Sequence, residues 1–418
     1  MATPPADSEA SRVFAADVVA RLRAAGHETY WAGGCVRDEL LGRNPADYDI
    51  ATAATPEIVR NVFGRRRTLA IGAAFGVITV LGPKGAGQVE VATFRADAEY
   101  TDGRHPAGVT FCSAREDAKR RDFTINGLFL DPLTGEVHDF VGGRADLAAG
   151  VVRAIGVPAQ RFGEDHLRML RAVRFTAFFD FVLDGETRAA IERMAHLVAT
   201  VSPERIAAEL RAMVERTGRE RALLLLAETG LAWEVLPELA PAHGPAGEGW
   251  RGKAAIVGAL DEPVLPQALA VLASDLDAAT AARIAGRLRL SNHESKAIAW
   301  LHAAIAEIGQ TTDLHRRPWS AIQPWVADSR APLLADLLRA CAARGLGDAA
   351  TAAWFTTQLA RPRTEIDPPP LLTGEHLLAA GMPAGRSIGA ALAKARQLQL
   401  DGVVTTAEQA LAAVRSLP

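Results

Sequence analysis

Gly33-Gly34-Cys35-Val36-Arg37-Asp38-Glu39-Leu40-Leu41-Gly42-Arg43-Asn44-Pro45-Ala46-Asp47-Tyr48-Asp49-Ile50 is the stretch that decides how this chain is read. Tyr30-Trp31 just before it, and Tyr48 and Ile50 at its end, predict strands. Residues two apart on a strand point to one face, so the carboxylates of Asp47 and Asp49 converge. A pair of hard oxygen ligands suits Mg²⁺, which keeps several waters and takes phosphate oxygens as its other ligands. The glycine pair lets the backbone approach a phosphate and offers free N–H groups at the positive end of a helix. Leu40-Leu41 give that helix an apolar face, Gly42 ends it, and Pro45 turns the chain back toward a strand. Asp-x-Asp by itself reads as a turn. Behind Gly33-Gly34 and Arg37-Asp38 it predicts a metal-dependent nucleotidyl-transfer site.

A third carboxylate is expected to complete the metal shell or to take the proton of a hydroxyl. Glu90 fits, because Gln88-Val89-Glu90-Val91-Ala92-Thr93 alternates as a strand does. Ala96 to Pro106 holds few apolar residues and contains Asp-Gly and His-Pro, which predicts a mobile loop. Further on come Arg120-Arg121-Asp122-Phe123-Thr124-Ile125-Asn126-Gly127 and Glu164-Asp165-His166-Leu167-Arg168-Met169-Leu170-Arg171-Ala172-Val173-Arg174-Phe175.

These four blocks, in this order, look like the motifs of class II CCA-adding enzymes and bacterial poly(A) polymerases; the resemblance covers residues 28 to about 235. It implies an α+β chain: a DNA polymerase β-like nucleotidyltransferase head followed by mostly α-helical neck, body and tail. On the matching positions it implies that Asp47 and Asp49 bind metal and that Glu90 is the third acidic catalytic residue. It also implies that Gly34, Arg37 and Arg121 hold a triphosphate. Asp122 is then placed to accept from a ribose hydroxyl, favouring NTP over dNTP.

Asp165, Arg168, Arg171 and Arg174 recur every three residues, and on one helix each such step turns back by about 60°. Cytosine and adenine both present an exocyclic amine beside an acceptor nitrogen, so a carboxylate plus a guanidinium can pair with either. Uracil and guanine reverse that pattern. Asp165 accepting from the amine and Arg168 donating to the ring would make a protein template for C and A, the role the resemblance assigns to this pair. Arg171 and Arg174 are expected to face phosphate or brace the helix. Ser202-Pro203-Glu204-Arg205-Ile206 resembles a later block of the family and reads structurally, with Ser202 at the N-cap and Pro203 at N1.

The expected organisation is an N-terminal helix within 1–27, the head at 28–156, a helical neck at 157–235, a helical body at 236–360 and a tail at 371–418. Arg361 to Pro370 is expected to be a stiff linker. A helix–turn–helix in the tail, around Gly381 to Gly389, could set helix N-termini against RNA or simply pack. With 418 residues, 49% of them apolar, the chain can bury several cores. Three cysteines without metal-ligand spacing suit a reducing cytoplasm, and neither a signal peptide nor a membrane-spanning run is expected. His138-Asp139 is the single adjacent His-Asp pair and lies in the head, which argues against a metal phosphatase.

A net charge of −3 means that positive charge for RNA must be local, and Arg65-Arg66-Arg67, Lys119-Arg120-Arg121 and the arginines near 168 are candidates. No RNP-type aromatic strand or zinc-finger spacing occurs, so RNA would be recognised by shape and by its single-stranded end. The expected activity is Mg²⁺-dependent addition of C and A from CTP and ATP to the 3′ end of tRNA. Poly(A) synthesis, CC-only or A-only addition share these motifs. A non-catalytic RNA-binding relative should have lost acidic ligands that this chain keeps.

Overall fold

The computed structural model describes residues 8–97, 109–240, 247–308 and 313–415. It divides into two units, Met1–Pro237 and Glu238–Pro418.

The first unit opens with helix α1 (Ser8–Ala24) and then builds a seven-stranded mixed sheet. Its strands are β1 (Thr29–Ala32), β2 (Asp49–Thr52), β3 (Thr68–Leu69), β4 (Val77–Leu81), β5 (Gln88–Thr93), β8 (Leu128–Leu130) and β9 (Val137–Asp139), in the order β3-β4-β5-β2-β1-β8-β9. Among the described strands of this sheet β2 and β5 are the one parallel pair, with Asp49 opposite Glu90 and Ile50 opposite Val91. Alternation along β5 buries Val89, Val91 and Thr93 and leaves Glu90 exposed, the period-2 pattern of a half-buried strand. Trp31, Ile50 and Ile78 are almost fully buried on one face of the sheet, and Phe94 and Phe129 with Ala32 and Ala51 on the other. Each of the large side chains contributes roughly 1.5–3 kcal/mol by leaving water.

Two short helices return the chain toward the sheet. Helix α2 (Gly34–Leu40) follows β1, and α3 (Pro56–Phe63) follows β2. The Thr55 side chain accepts from the Ile58 N–H, Pro56 sits in the first turn, and Gly64 at φ 82° ends α3 in a conformation that suits a residue without Cβ. Strands β6 (Arg95–Asp97) and β7 (Val109–Phe111) pair antiparallel, so Ala96 and Asp97, the start of the segment expected to be a loop, belong to a strand; residues 98–108 lie outside the described chain. Helix α4 (Ala114–Lys119) starts with a reciprocal capping box between Ser113 and Glu116, and α5 (Gly143–Ala149) follows β9.

The rest of this unit is mainly helical: α6 (Pro158–Glu164), α7 (Leu167–Phe179), α8 (Gly185–Met194), α9 (Pro203–Val214), α10 (Arg219–Glu228) and α11 (Leu231–Val235). The short strands β10 (Val151–Val152) and β11 (Val182–Leu183) pair in parallel beside α7. Helix α7 is buried on nearly every side, Arg171, Arg174 and Phe178 excepted. Ser202 precedes α9 as expected, but its side chain makes no capping hydrogen bond.

In the second unit the described residues are helices and connecting turns. Lys253 is buried and donates to the Leu272 carbonyl, and His302 is buried against the Leu276 carbonyl. The expected stiff linker contains a short helix, Arg363–Ile366, and is tied down: Arg396 donates to the Pro368 carbonyl at 2.6 Å and Gln399 to that of Pro369 at 2.7 Å. Leu377, Ala410 and Val414 centre a small core of their own beyond it.

Candidate active site

Gly33 is where the local fold and the site meet. It adopts φ 76°, and a Cβ there would stand 2.8 Å from Arg121 Nη1. Glycine therefore serves twice, relieving the backbone and admitting a guanidinium against it. One turn into α2, Arg37 is buried, its Nη1 donating to Asn126 Oδ1 at 2.7 Å and its Nε to Asp38 Oδ1 at 2.9 Å. Its guanidinium lies over the rings of Phe179 and Phe175, at 4.4 and 5.2 Å.

Gly34, Arg37, Asp47, Asp49, Arg121, Asp122, Asp165, Arg168, Arg171 and Arg174 all line one open cavity of about 530 Å³. Asp47 lies in a bend just before β2, not within a strand, and Asp49 opens the strand. Both remain open to solvent, yet protein packed around Asp49 together with the charges of Asp47 and Glu90 pushes its carboxyl up to about 6, with Arg121 opposing the rise. Glu90 lies beside Asp49 across the β2–β5 pairing but is not part of the cavity lining. Among the described residues, no group of three or more His, Cys, Asp or Glu side chains is arranged to cage a metal. Two crowded aspartates in a polar cavity still fit a divalent cation that takes its remaining ligands from phosphate and water, as Mg²⁺ does. A cation there would also relieve the repulsion that raises Asp49.

Opposite the aspartates runs a chain of ion pairs. Arg120 and Arg121 both bind Asp117, at 2.8 and 3.0 Å. Asp122 accepts from Arg171 Nε at 2.9 Å, from Asn126 Nδ2 at 3.0 Å and from the Phe123 N–H at 2.8 Å. Burial would raise Asp122, but Arg171 and these hydrogen bonds outweigh it and hold the carboxyl below its ordinary value. Arg174 Nε donates to Glu209 Oε2 on α9 at 2.6 Å, and Arg171 approaches the same carboxylate at 3.7 Å. Of the two roles expected for Arg171 and Arg174, these contacts supply the bracing one.

The expectation that Asp165, Arg168, Arg171 and Arg174 share one helix needs correction. Helix α6 ends at Glu164, and Asp165 is extended, at φ −149° and ψ 106°, before α7 begins. The arginines share α7; the aspartate stands in the joint ahead of it. Nor, among the described residues, do the side chains of Asp165 and Arg168 pair with one another. Asp165 Oδ2 accepts from Arg205 Nη2 at 2.8 Å, and Arg168 Nη1 donates to Glu164 Oε2 at 2.5 Å while its Nη2 reaches the Arg120 carbonyl at 3.2 Å. Arg205, which lies in the block expected to be structural, is thus a direct partner of Asp165.

Gly33, Arg120, Asn126 and Phe175 also line the cavity; Gly33 is expected there as half of the phosphate-approaching glycine pair and Arg120 as a candidate RNA-binding cation, while the sequence reading gave Asn126 and Phe175 no role. Both stand inside the quoted motif blocks, so their block position was the available signal. His138-Asp139 ends β9, where Asp139 caps α5 by accepting from the N–H groups of Val141, Gly142, Gly143 and Arg144. That occupation suits a structural role.

Residues 29–153 match the family model described as the poly A polymerase head domain, and residues 180–243 match one described as the probable RNA and SrmB-binding site of polymerase A. The chain is 43% identical over 215 residues to a CCA-adding enzyme of Bacillus pumilus, covering 51% of this chain and 52% of that protein. It is 44% identical over 226 residues to a CCA-adding enzyme of Enterococcus faecalis, covering 54% of each. The match therefore spans about half the length of these curated relatives. By structure, the chain is similar to the CCA-adding enzyme of Bacillus stearothermophilus in complex with CTP, with a TM-score of 0.76 and 28% identity over 97% of both chains. The fold also matches the Thermotoga maritima CCA-adding enzyme complexed with tRNA, with a TM-score of 0.65 and 21% identity, covering 99% of this chain and 96% of the other.

Proposed function

We propose that the chain is a member of the class II CCA-adding and poly(A) polymerase family, which its head-domain match and its similarity to CCA-adding enzymes support, and that it adds C and A residues, from CTP and ATP, to the 3′ end of tRNA. The observation that carries this reading is a single cavity lined at once by Asp47 and Asp49 and by Asp165 and Arg168. The first pair suits a metal-bound triphosphate, the second the Watson–Crick edge of C or A.

In this reading the incoming nucleotide lies with its triphosphate toward Gly34, Arg37 and Arg121. Arginine suits that task because its fork of donors matches phosphate oxygens. Asp122, whose oxygens already accept from Arg171, Asn126 and the Phe123 N–H, is the carboxylate assigned to the ribose hydroxyl, which would share one of those acceptor sites. Asp165 and Arg168 read the base, while Arg171 and Arg174 hold the reading helix through Asp122 and Glu209. The divalent ion, which we take to be Mg²⁺ held by Asp47 and Asp49, would supply charge neutralisation at the phosphates and a more acidic 3′ hydroxyl. Glu90, one strand away, is the carboxylate assigned to that proton. The 3′ oxygen attacks the α-phosphorus in line and pyrophosphate leaves; the protein contributes mainly position and electrostatics.

We assign 28–156 to the catalytic head, 157–235 to the neck that reads the base, and 236–360 and 371–418 to a body and tail available to RNA. No helix among the described residues is long and apolar enough to cross a membrane. We place the protein in the cytoplasm, where its free cysteines would stay reduced. The test is incubation with tRNA lacking its 3′ end, Mg²⁺ and each labelled NTP in turn. Ordered incorporation of C, C and A supports the reading. Long A tracts on any RNA would reassign the protein to poly(A) synthesis, and no incorporation would leave an RNA-binding relative.

A further inference from the structure

Arg65, Arg66 and Arg67 form a single 3₁₀ turn between α3 and β3, all three exposed. Gly64, at φ 82°, ends α3 and turns the chain into it. Arginines around the cavity are committed to carboxylates: Arg121 to Asp117, Arg171 to Asp122 and Arg174 to Glu209. The triplet differs. Among the described residues, none of its guanidiniums has an ion-pair or hydrogen-bond partner. In a chain of net charge −3, three adjacent unpaired arginines form a local positive field.

The sheet fixes where that field lies. Thr68 pairs with Val80 on β4, and Leu81 pairs with Gln88 on β5. On β5, Glu90 pairs with Asp49 in parallel register. Arg67, the residue before Thr68, therefore stands at the end of the sheet at which Asp47 enters β2. Three strand spacings separate β3 from β2, about 14 Å at the usual interval. Lys84, exposed in the β4–β5 turn, shares a surface hollow with Arg67 and adds a fourth cation at this end; Glu9 and Asp17 of α1 border the same hollow.

We propose that Arg65, Arg66 and Arg67 form a phosphate-binding contact for the RNA strand whose 3′ end lies at Asp47 and Asp49. This rests on the proposed function for the identity of the RNA, and adds the surface that holds it. Planar guanidiniums give bidentate pairing to phosphate oxygens and carry no base preference, as a contact upstream of the reacting end requires. Each such contact releases counterions, so it appears in the salt dependence of binding.

The experiment compares the wild-type chain with the triple variant R65Q/R66Q/R67Q and with R65K/R66K/R67K. Binding of tRNA lacking its 3′ end is measured by fluorescence anisotropy across a salt series, without NTP. The glutamine variant should bind on the order of tenfold or more weakly, with a log–log salt slope shallower by about 2–3. The lysine variant should keep most of the slope. KM for CTP and kcat at saturating RNA should stay unchanged in both, and an unchanged Tm would show that folding is intact. An unaltered affinity and slope in the glutamine variant overturns the proposal and would suit arginines that serve an acidic protein surface instead. If the wild type binds RNA and the slope falls but no nucleotide is incorporated, the arginine contact stands and the proposed reaction fails. A wild type that does not bind RNA overturns both.

Discussion

Arg205 on α9 donates from Nη2 to Asp165 Oδ2 at 2.8 Å, joining two residues forty positions apart. Asp165 is extended between two helices, and its Oδ1 accepts from the Leu167 N–H at 3.1 Å. The ion pair with Arg205 holds the other oxygen. Replacing Arg205 with alanine should lower the preference for CTP over UTP, measured as a ratio of kcat/KM, by about tenfold, equivalent to about 1.4 kcal/mol. Arg205→Lys should recover part of it. An Asp165→Ala variant that kept full base selectivity would show that neither residue reads the base.

Asp122 is tightly constrained, 10% exposed in its side chain and bound by Arg171, Asn126 and the Phe123 N–H. Removing one partner of a buried pair leaves the other uncompensated, although Arg171 is one-third exposed and water softens the loss. Asp122→Ala should therefore cost about 2 kcal/mol in denaturant unfolding. Asp117 and Asp122 are both held below the ordinary carboxylate value because arginines outweigh the effect of burial. Their stabilisation is complete above the unfolded value near 3.8 and is lost as pH falls through the lower folded values, which places this part of the acid transition below pH 4. Asp122→Asn should make stability less sensitive to pH in that window.

Asp49 has the opposite sign. Its folded value of about 6 exceeds the ordinary 3.8, so the folded state binds this proton more tightly. In the metal-free protein the group is destabilising above pH 6, and that penalty is relieved as pH falls from 6 toward 4. A divalent ion competes for the same oxygens. The Mg²⁺-induced rise in Tm should be largest above pH 7 and shrink through pH 6 toward 5. Equal Mg²⁺ stabilisation at pH 5 and pH 8, or its persistence in Asp49→Asn, would count against Asp49 as a ligand.

The two glycines of the opening motif should respond differently. Gly33→Ala meets a positive φ and Arg121 Nη1 at 2.8 Å, while at Gly34 the nearest atom to an added Cβ is Arg37 Nη2 at 3.7 Å. Gly33→Ala should cost about 1 kcal/mol in backbone strain. By displacing Arg121 it should also raise KM for CTP and ATP alike. Gly34→Ala should raise KM less, and a larger effect at Gly34 than at Gly33 would contradict this ranking.

The run from Gly33 to Ile50 was legible because its signals agree: a glycine pair opens a helix, a second glycine closes it, and alternating apolar residues announce a strand. Placing Glu90 beside Asp49 also followed from the pattern, since β5 alternates cleanly, but the parallel register that brings them together is a long-range fact. The helical spacing of Asp165 with Arg168, Arg171 and Arg174 misled, because a period of three cannot show that one helix stops at Glu164 and another starts at Leu167. Partners such as Arg171 with Asp122 and Arg174 with Glu209 lie 49 and 35 residues apart, beyond any local pattern. Arg205 was hidden for the same reason.

The central claim is that Asp47 and Asp49 jointly hold a divalent ion beside the bound nucleotide. Mn²⁺ titrated in the presence of CTP and followed by electron paramagnetic resonance tests it directly. The wild type should bind Mn²⁺ with an affinity that CTP strengthens, and Asp47→Asn and Asp49→Asn should each weaken it by at least about tenfold, with incorporation falling by about a thousandfold or more. Mn²⁺ affinity and incorporation left unchanged by both substitutions would contradict the account.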